Sequence, residues 1–234
     1  MRLSFLFLLL ALAGFQLPAQ ITQEGMARRI NSDKEPMPGV SVRFKDAGSK
    51  TSGQDGRFTL TFQNKKEGAL IFMEEIVKAG FELVNEKDFD IMRITNTGKL
   101  GVNIIMAEAG YVNAAKQQYY NVSDSALRAS FALEKRKILR KLEKAELSDA
   151  ETEAELKILQ ERFEIQKESL DKLSEQFARV NFDDVGDLYE EALKLFKDGY
   201  IDSCKRKLEN AKLIDRAKKG IQERERIKKA KETI

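Results

Sequence analysis

Gly53-Gln54-Asp55-Gly56-Arg57-Phe58-Thr59-Leu60-Thr61-Phe62 holds an Asp-Gly step and then a strict alternation that puts Phe58, Leu60 and Phe62 on one face. An Asp-Gly pair favours a tight turn because it tolerates positive φ, and a period of two is that of a strand with one buried side. Upstream, Gly39-Val40-Ser41-Val42-Arg43-Phe44 alternates in the same way. The two runs predict strands with a tight hairpin turn between them at 53–56. Ala69 to Phe72 and Val102 to Met106 are apolar runs suited to more deeply buried strands. Turn residues recur at Asn31-Ser32-Asp33, Asp46-Ala47-Gly48 and Asn96-Thr97-Gly98. Short strands and turns at this spacing predict a small antiparallel β-sandwich over residues 20–108.

Pro36-Met37-Pro38-Gly39-Val40-Ser41-Val42, followed by Thr51-Ser52-Gly53-Gln54-Asp55-Gly56-Arg57-Phe58, resembles the carboxypeptidase regulatory-like domain. That family carries a proline-Gly-Val-x-Val strand entry and then a Thr-x-x-x-Asp-Gly-x-Phe hairpin. Gly25 and Ala27 fall where its first strand begins. The resemblance implies a seven-stranded, transthyretin-like sandwich, common in exported proteins of Bacteroidetes-type bacteria. It implies no peptidase activity, because these domains are accessory modules without catalytic residues.

After Gly110 the apolar period lengthens to that of a helix. Tyr111 to Asn121 is predicted helical, and Ser123 is placed to cap a further helix through Ala126, Phe131, Ile138, Leu139 and Leu142, ending near Leu147. Ser148-Asp149-Ala150-Glu151 has the form of a capping box. Leu156, Leu159, Phe163, Gln166, Leu170, Leu173, Phe177 and Val180 then alternate spacings of three and four, an a/d seam with one polar member. At ~1.5 Å per residue the helix over 149–180 would be about 48 Å long. Residues 111–181 read either as an intramolecular helical hairpin or as a coiled coil pairing two copies of the chain. The periodicity serves both.

Asn181-Phe182-Asp183-Asp184 breaks the seam and is placed to cap another helix. From Leu188 to Ala211 the chain resembles a single tetratricopeptide repeat, within a segment of 182–218. On that resemblance Ala192, Leu195, Gly199, Cys204, Leu208 and Ala211 take the repeat's small, bulky, turn, small, bulky and closing small positions. Leu188 stands where the family has an aromatic residue, and the terminal proline is absent. The concave face, near Tyr189, Phe196 and Tyr200, is the candidate surface for docking a peptide. One repeat cannot bury its faces alone, so the preceding helices are expected to act as its neighbour.

The 234 residues include no His and a single Cys, and carry a formal net charge of +3. The lack of His excludes His-based triads and His-ligated zinc, one Cys excludes an internal disulfide, and the near-neutral balance argues against general nucleic-acid binding. Met1-Arg2, the apolar run Leu3 to Ala13 and Leu17-Pro18-Ala19 have the three parts of a secretory signal peptide cut before Gln20. The run is too short to span a bilayer, and no other segment is apolar enough to do so. A periplasmic or secreted protein follows. Residues 219–234 are a basic, helix-compatible tail.

Asp183 and Asp184 read as helix capping rather than as paired catalytic carboxylates, and Cys204 as a small packing residue rather than a nucleophile. Tyr119 and Tyr120 read equally as ligand surface or as packing at the domain junction. Lys205-Arg206-Lys207 and the tail read as solvated helix faces, with anionic lipid, glycan or an acidic partner as the competing reading. No catalytic, metal or cofactor site is expected. The expectation is a non-catalytic interaction or scaffold protein of the cell envelope that docks a protein or peptide through its helices. The alternative is a glycan- or peptidoglycan-associated binding module with a helical spacer.

Overall fold

The computed structural model describes residues 20–95 and 100–214; the expectations for residues 1–19, for the turn at 96–98 and for the chain beyond 214 lie outside them. The chain divides into two compact units, with the boundary between Glu108 and Ala109. The first is built of strands and the second of helices, so the class is β plus α.

In the first unit the chain runs through β1 (Gln20–Arg29), β2 (Ser41–Phe44), β3 (Gly48–Thr51) and β4 (Arg57–Gln63). It continues through β5 (Leu70–Ile71), β6 (Met73–Val77), β7 (Phe81–Leu83), β8 (Met92–Arg93) and β9 (Leu100–Glu108). One sheet has the order β4-β1-β9-β7, a second β3-β2-β6, and β5 pairs with β8. β1 is antiparallel to β4, with Ile21 opposite Phe62, but parallel to β9, with Ala27 opposite Ile104. The larger sheet is therefore mixed, where the alternation predicted a purely antiparallel one. A tight turn forces antiparallel neighbours, whereas a strand returning after a long excursion can enter in either direction.

The turn at 53–56 is the second correction. β2 pairs with β3, and β4 pairs with β1, so this turn does not join two paired strands. It hands the chain from one sheet to the other. Gly56 sits there at φ +73°, and a Cβ on it would lie 2.4 Å from the Ala27 carbonyl oxygen. The alternation itself is realised: Phe58, Leu60 and Phe62 are buried, and Arg57, Thr59 and Gln63 are exposed. Their rings and methyls join Ala27, Val102 and Ile104 of the same sheet and Val42, Phe44 and Ile76 of the other in one cluster. Each such side chain contributes about 1.5–3 kcal/mol on burial.

Ser52 fastens the strand entry at 36–40 to the segment at 51–58. Its buried hydroxyl accepts the Val40 N–H at 2.9 Å and donates to the Met37 carbonyl at 2.7 Å.

The second unit contains α1 (Tyr111–Glu143), α2 (Asp149–Ala178) and α3 (Asp187–Lys197), and residues 201–214 form a further helix, α4. α1 is one helix of 33 residues, where the sequence predicted a break before Ser123. Ser123 is fully buried inside it. A serine caps only where the residues before it leave the helix, and residues 111–143 contain no Gly or Pro to make them do so. The capping box at the start of α2 is present. The Glu151 N–H donates to the Ser148 hydroxyl and the Ser148 N–H donates to the Glu151 carboxylate, which lowers that carboxyl's pKa.

α1 and α2 form an antiparallel hairpin within the chain. Lys116 pairs with Asp171 at 2.8 Å, Glu134 with Arg162, and Lys141 with Glu155 at 3.4 Å, so partners descend one helix as they climb the other.

Replacing Ser52 by Ala would strand the buried Val40 N–H and Met37 carbonyl, at a cost of about 1–3 kcal/mol in urea unfolding. A change below ~0.5 kcal/mol would show that this hydroxyl does not hold the two segments together.

Candidate functional site

The seam of α2 decides what the helical unit can offer a partner. Leu159, Phe163, Leu170, Leu173 and Phe177 are buried, and Leu156, Gln166 and Val180 are half-buried. Phe163, Leu170, Leu173 and Phe177 belong to a cluster with Leu127 of α1, Ala192 and Phe196 of α3, and Ile201, Cys204 and Leu208 of α4. Phe163 lies 4.6 Å from Phe131, and Phe177 lies 5.2 Å from Phe196, centroid to centroid. Side chains that could have paired two copies of the chain are thus spent within one. The polar member is spent there too, because the Gln166 Nε2–H donates to the Asp202 carboxylate at 2.6 Å.

The residues assigned to the repeat come together as packing. Ala192, Cys204, Leu208 and Ala211 are buried, and Leu195 is half-buried. Gly199 ends α3. Its N–H donates to the Phe196 carbonyl and the Tyr200 N–H to the Leu195 carbonyl, the paired bonds of a Schellman motif, at φ +79°. The same residue faces α1: a Cβ here would lie 2.8 Å from the Leu127 nitrogen and 2.9 Å from the Ala126 carbonyl carbon. One glycine therefore serves both the turn and the close approach of the helix pair to α1.

The three aromatics proposed for docking are separated by their surroundings. Phe196 is 0% exposed and unreachable by any partner. Tyr189 is half-buried against the helical core, and only Tyr200, at 59%, presents its ring to solvent. A repeat pattern places Phe196 on a helix face without saying which neighbour covers that face, and here α2 covers it. Leu213 and Ile214, the last described residues of α4, are exposed as well and were not singled out by the sequence.

Several of the remaining candidates have partners within the helical unit. Asp184 accepts from the Asn181 amide at 2.7 Å, while the N-cap of α3 is Gly186, so the acidic pair precedes the cap rather than forming it. Tyr119 stacks edge-on to Phe177 at 6.3 Å under the Lys197 ammonium, and its burial raises the phenol's pKa. Lys207 pairs with Glu191 and Arg206 donates to Ser203. The Cys204 thiol is pushed up to about 12 by burial.

Gly199→Ala should cost at least about 2 kcal/mol, from the left-handed backbone and the displaced α1. Gly186→Ala, whose new Cβ meets nothing within 4 Å, should cost no more than about 1 kcal/mol, the preference for glycine over alanine at an N-cap. Equal losses by thermal unfolding would dismiss the close approach. The Cys204 thiol stays protonated in the fold at a pH where the unfolded thiol, with its ordinary value of 9.0, ionises. Its contribution is complete below that value and lost as pH rises, by at most about 1.4 kcal/mol per pH unit. Urea midpoints between pH 9 and 11 should therefore fall more steeply for the wild type than for Cys204→Ala, and parallel slopes would refute a held-neutral thiol.

Set against family models, curated proteins and solved structures, the chain matches none.

Proposed function

We propose that this is an exported, non-catalytic docking protein of the cell envelope. On this reading residues 1–19 are a cleaved signal peptide. The first unit is a transthyretin-like sandwich of the carboxypeptidase regulatory-like kind, and the second is a hairpin carrying a tetratricopeptide-like helix pair. The partner is a protein or peptide that meets α4. Among the described residues no helix is long and apolar enough to cross a membrane.

The observation that carries the reading is how the repeat-like residues are used. Ala192, Gly199, Cys204, Leu208 and Ala211 are consumed in seating α3 and α4 on the hairpin, while Tyr200 and Leu213 stay 59% exposed. Seating a helix pair on a long support leaves its outer apolar groups for another chain, the use to which helical repeats put such faces.

Tyr200→Asp with Leu213→Asp tests this without touching the core. The tagged protein should capture a partner from the envelope fraction of its source cell, and the variant should lose at least ~90% of it at unchanged helicity. Retention of every captured protein by the variant would end the docking role of α4. The N-terminal sequence of the exported protein should begin at Gln20; an uncut chain in the cytoplasm would end the export half of the proposal.

A further inference from the structure

A cleft of about 1040 Å³ opens on the first unit, bordered by the β2–β3 turn at 46–48, the end of β4 and the loop that follows it. It is slightly larger than most small-ligand sites and open to solvent, with Asp46, Gln63, Asn64 and Lys66 exposed along it. Its polar groups come from Asp46, Thr61, Gln63, Asn64, Lys65 and Lys66. Lys65 is already engaged: its ammonium lies 3.1 Å from the Asp46 carboxylate and donates to the Leu70 carbonyl at 3.2 Å. That pair fixes one wall and leaves the Asp46 side chain about half exposed. Lys66 is exposed and has neither an ion pair nor a side-chain hydrogen bond among the described residues. Gln63 and Asn64 place two carboxamides on consecutive residues, each able to donate and accept, and Thr61 adds a hydroxyl.

We infer that this cleft binds a carboxylate-bearing oligosaccharide, with Lys66 on the carboxylate and Asp46, Thr61, Gln63 and Asn64 on the hydroxyls. The charge count selects the ligand. With Asp46 neutralised by Lys65, the unpaired Lys66 ammonium leaves a single positive charge, which a singly charged group matches and a phosphate dianion exceeds. A neutral sugar would leave the Lys66 charge unused. Donors and acceptors in nearly equal supply match vicinal hydroxyls, which need both. No aromatic ring lines the cleft, so recognition rests on hydrogen bonds and charge, in reach of water and salt. The site lies wholly in the first unit and owes nothing to docking by α4.

The test is a ¹⁵N chemical-shift titration of the protein with trigalacturonate, with maltotriose as the neutral control. Saturable shifts at 46–48 and 61–66 are expected with a Kd below about 1 mM, at least ~10-fold weaker in Lys66→Glu and with the neutral sugar. Lys66 is exposed, so the variant keeps its fold, as the unshifted remainder of its spectrum should show. No saturable shift at these residues by about 10 mM would overturn the site, and equal binding of both sugars or by both proteins would overturn the role of Lys66.

Discussion

Parallel pairing of β1 with β9 is the constraint on which the first unit rests. It places the unit's opening and closing strands side by side at the middle of the larger sheet, with β4 and β7 as its edges. Between Arg29 and Leu100 the chain leaves this sheet to build the second one, and comes back on the way to add β4 and β7 as edges. No turn can create such a pairing, because the loop it closes is long and its entropy is lost before any contact forms. The apolar contacts of Val102, Ile104 and Met106 with the rest of the core supply the compensation. This is why β9 is buried without a break from Ile104 to Ala107 while β3, on the excursion, is exposed at all four of its residues.

In the helical unit the corresponding burden falls on one face of α2. It meets α1 on one side and the α3–α4 pair on the other, and aromatic contacts mark both junctions. A seam of alternating threes and fours is narrow for one partner and wide enough for two when its aromatic members are large. An apolar residue in place of Gln166 would have left Asp202 without its amide donor.

What the sequence revealed was local. The alternation of β4, the capping box at Ser148 and the turn at Gly199 each depend on a few neighbouring residues, and each is where the letters put it. What stayed hidden was the identity of neighbours. Gly53 to Gly56 spells a turn, but the partners of the strands on either side of it are set by residues far away in the chain. Ser123 is a capping letter without a break in the helix to cap, and Phe196 has the spacing of a surface residue with α2 lying over it. The cleft gave no signal at all, because its side chains come from two turns and a strand end that share no period.

Cys204 lies at the bottom of this packing, the single sulfhydryl of the chain, sealed between helices. A thiol that neither ionises nor meets solvent is a poor substrate for oxidants and exchange catalysts alike. The chain can therefore pass through oxidising surroundings without forming a mixed disulfide or a covalent dimer, and its state of assembly there is set by reversible contacts alone. The same sulfur becomes a trap when α3 and α4 lift away, since a misfolded copy can then crosslink to its neighbour. Close helix packing around a small side chain thus acts as redox insulation as well as cohesion.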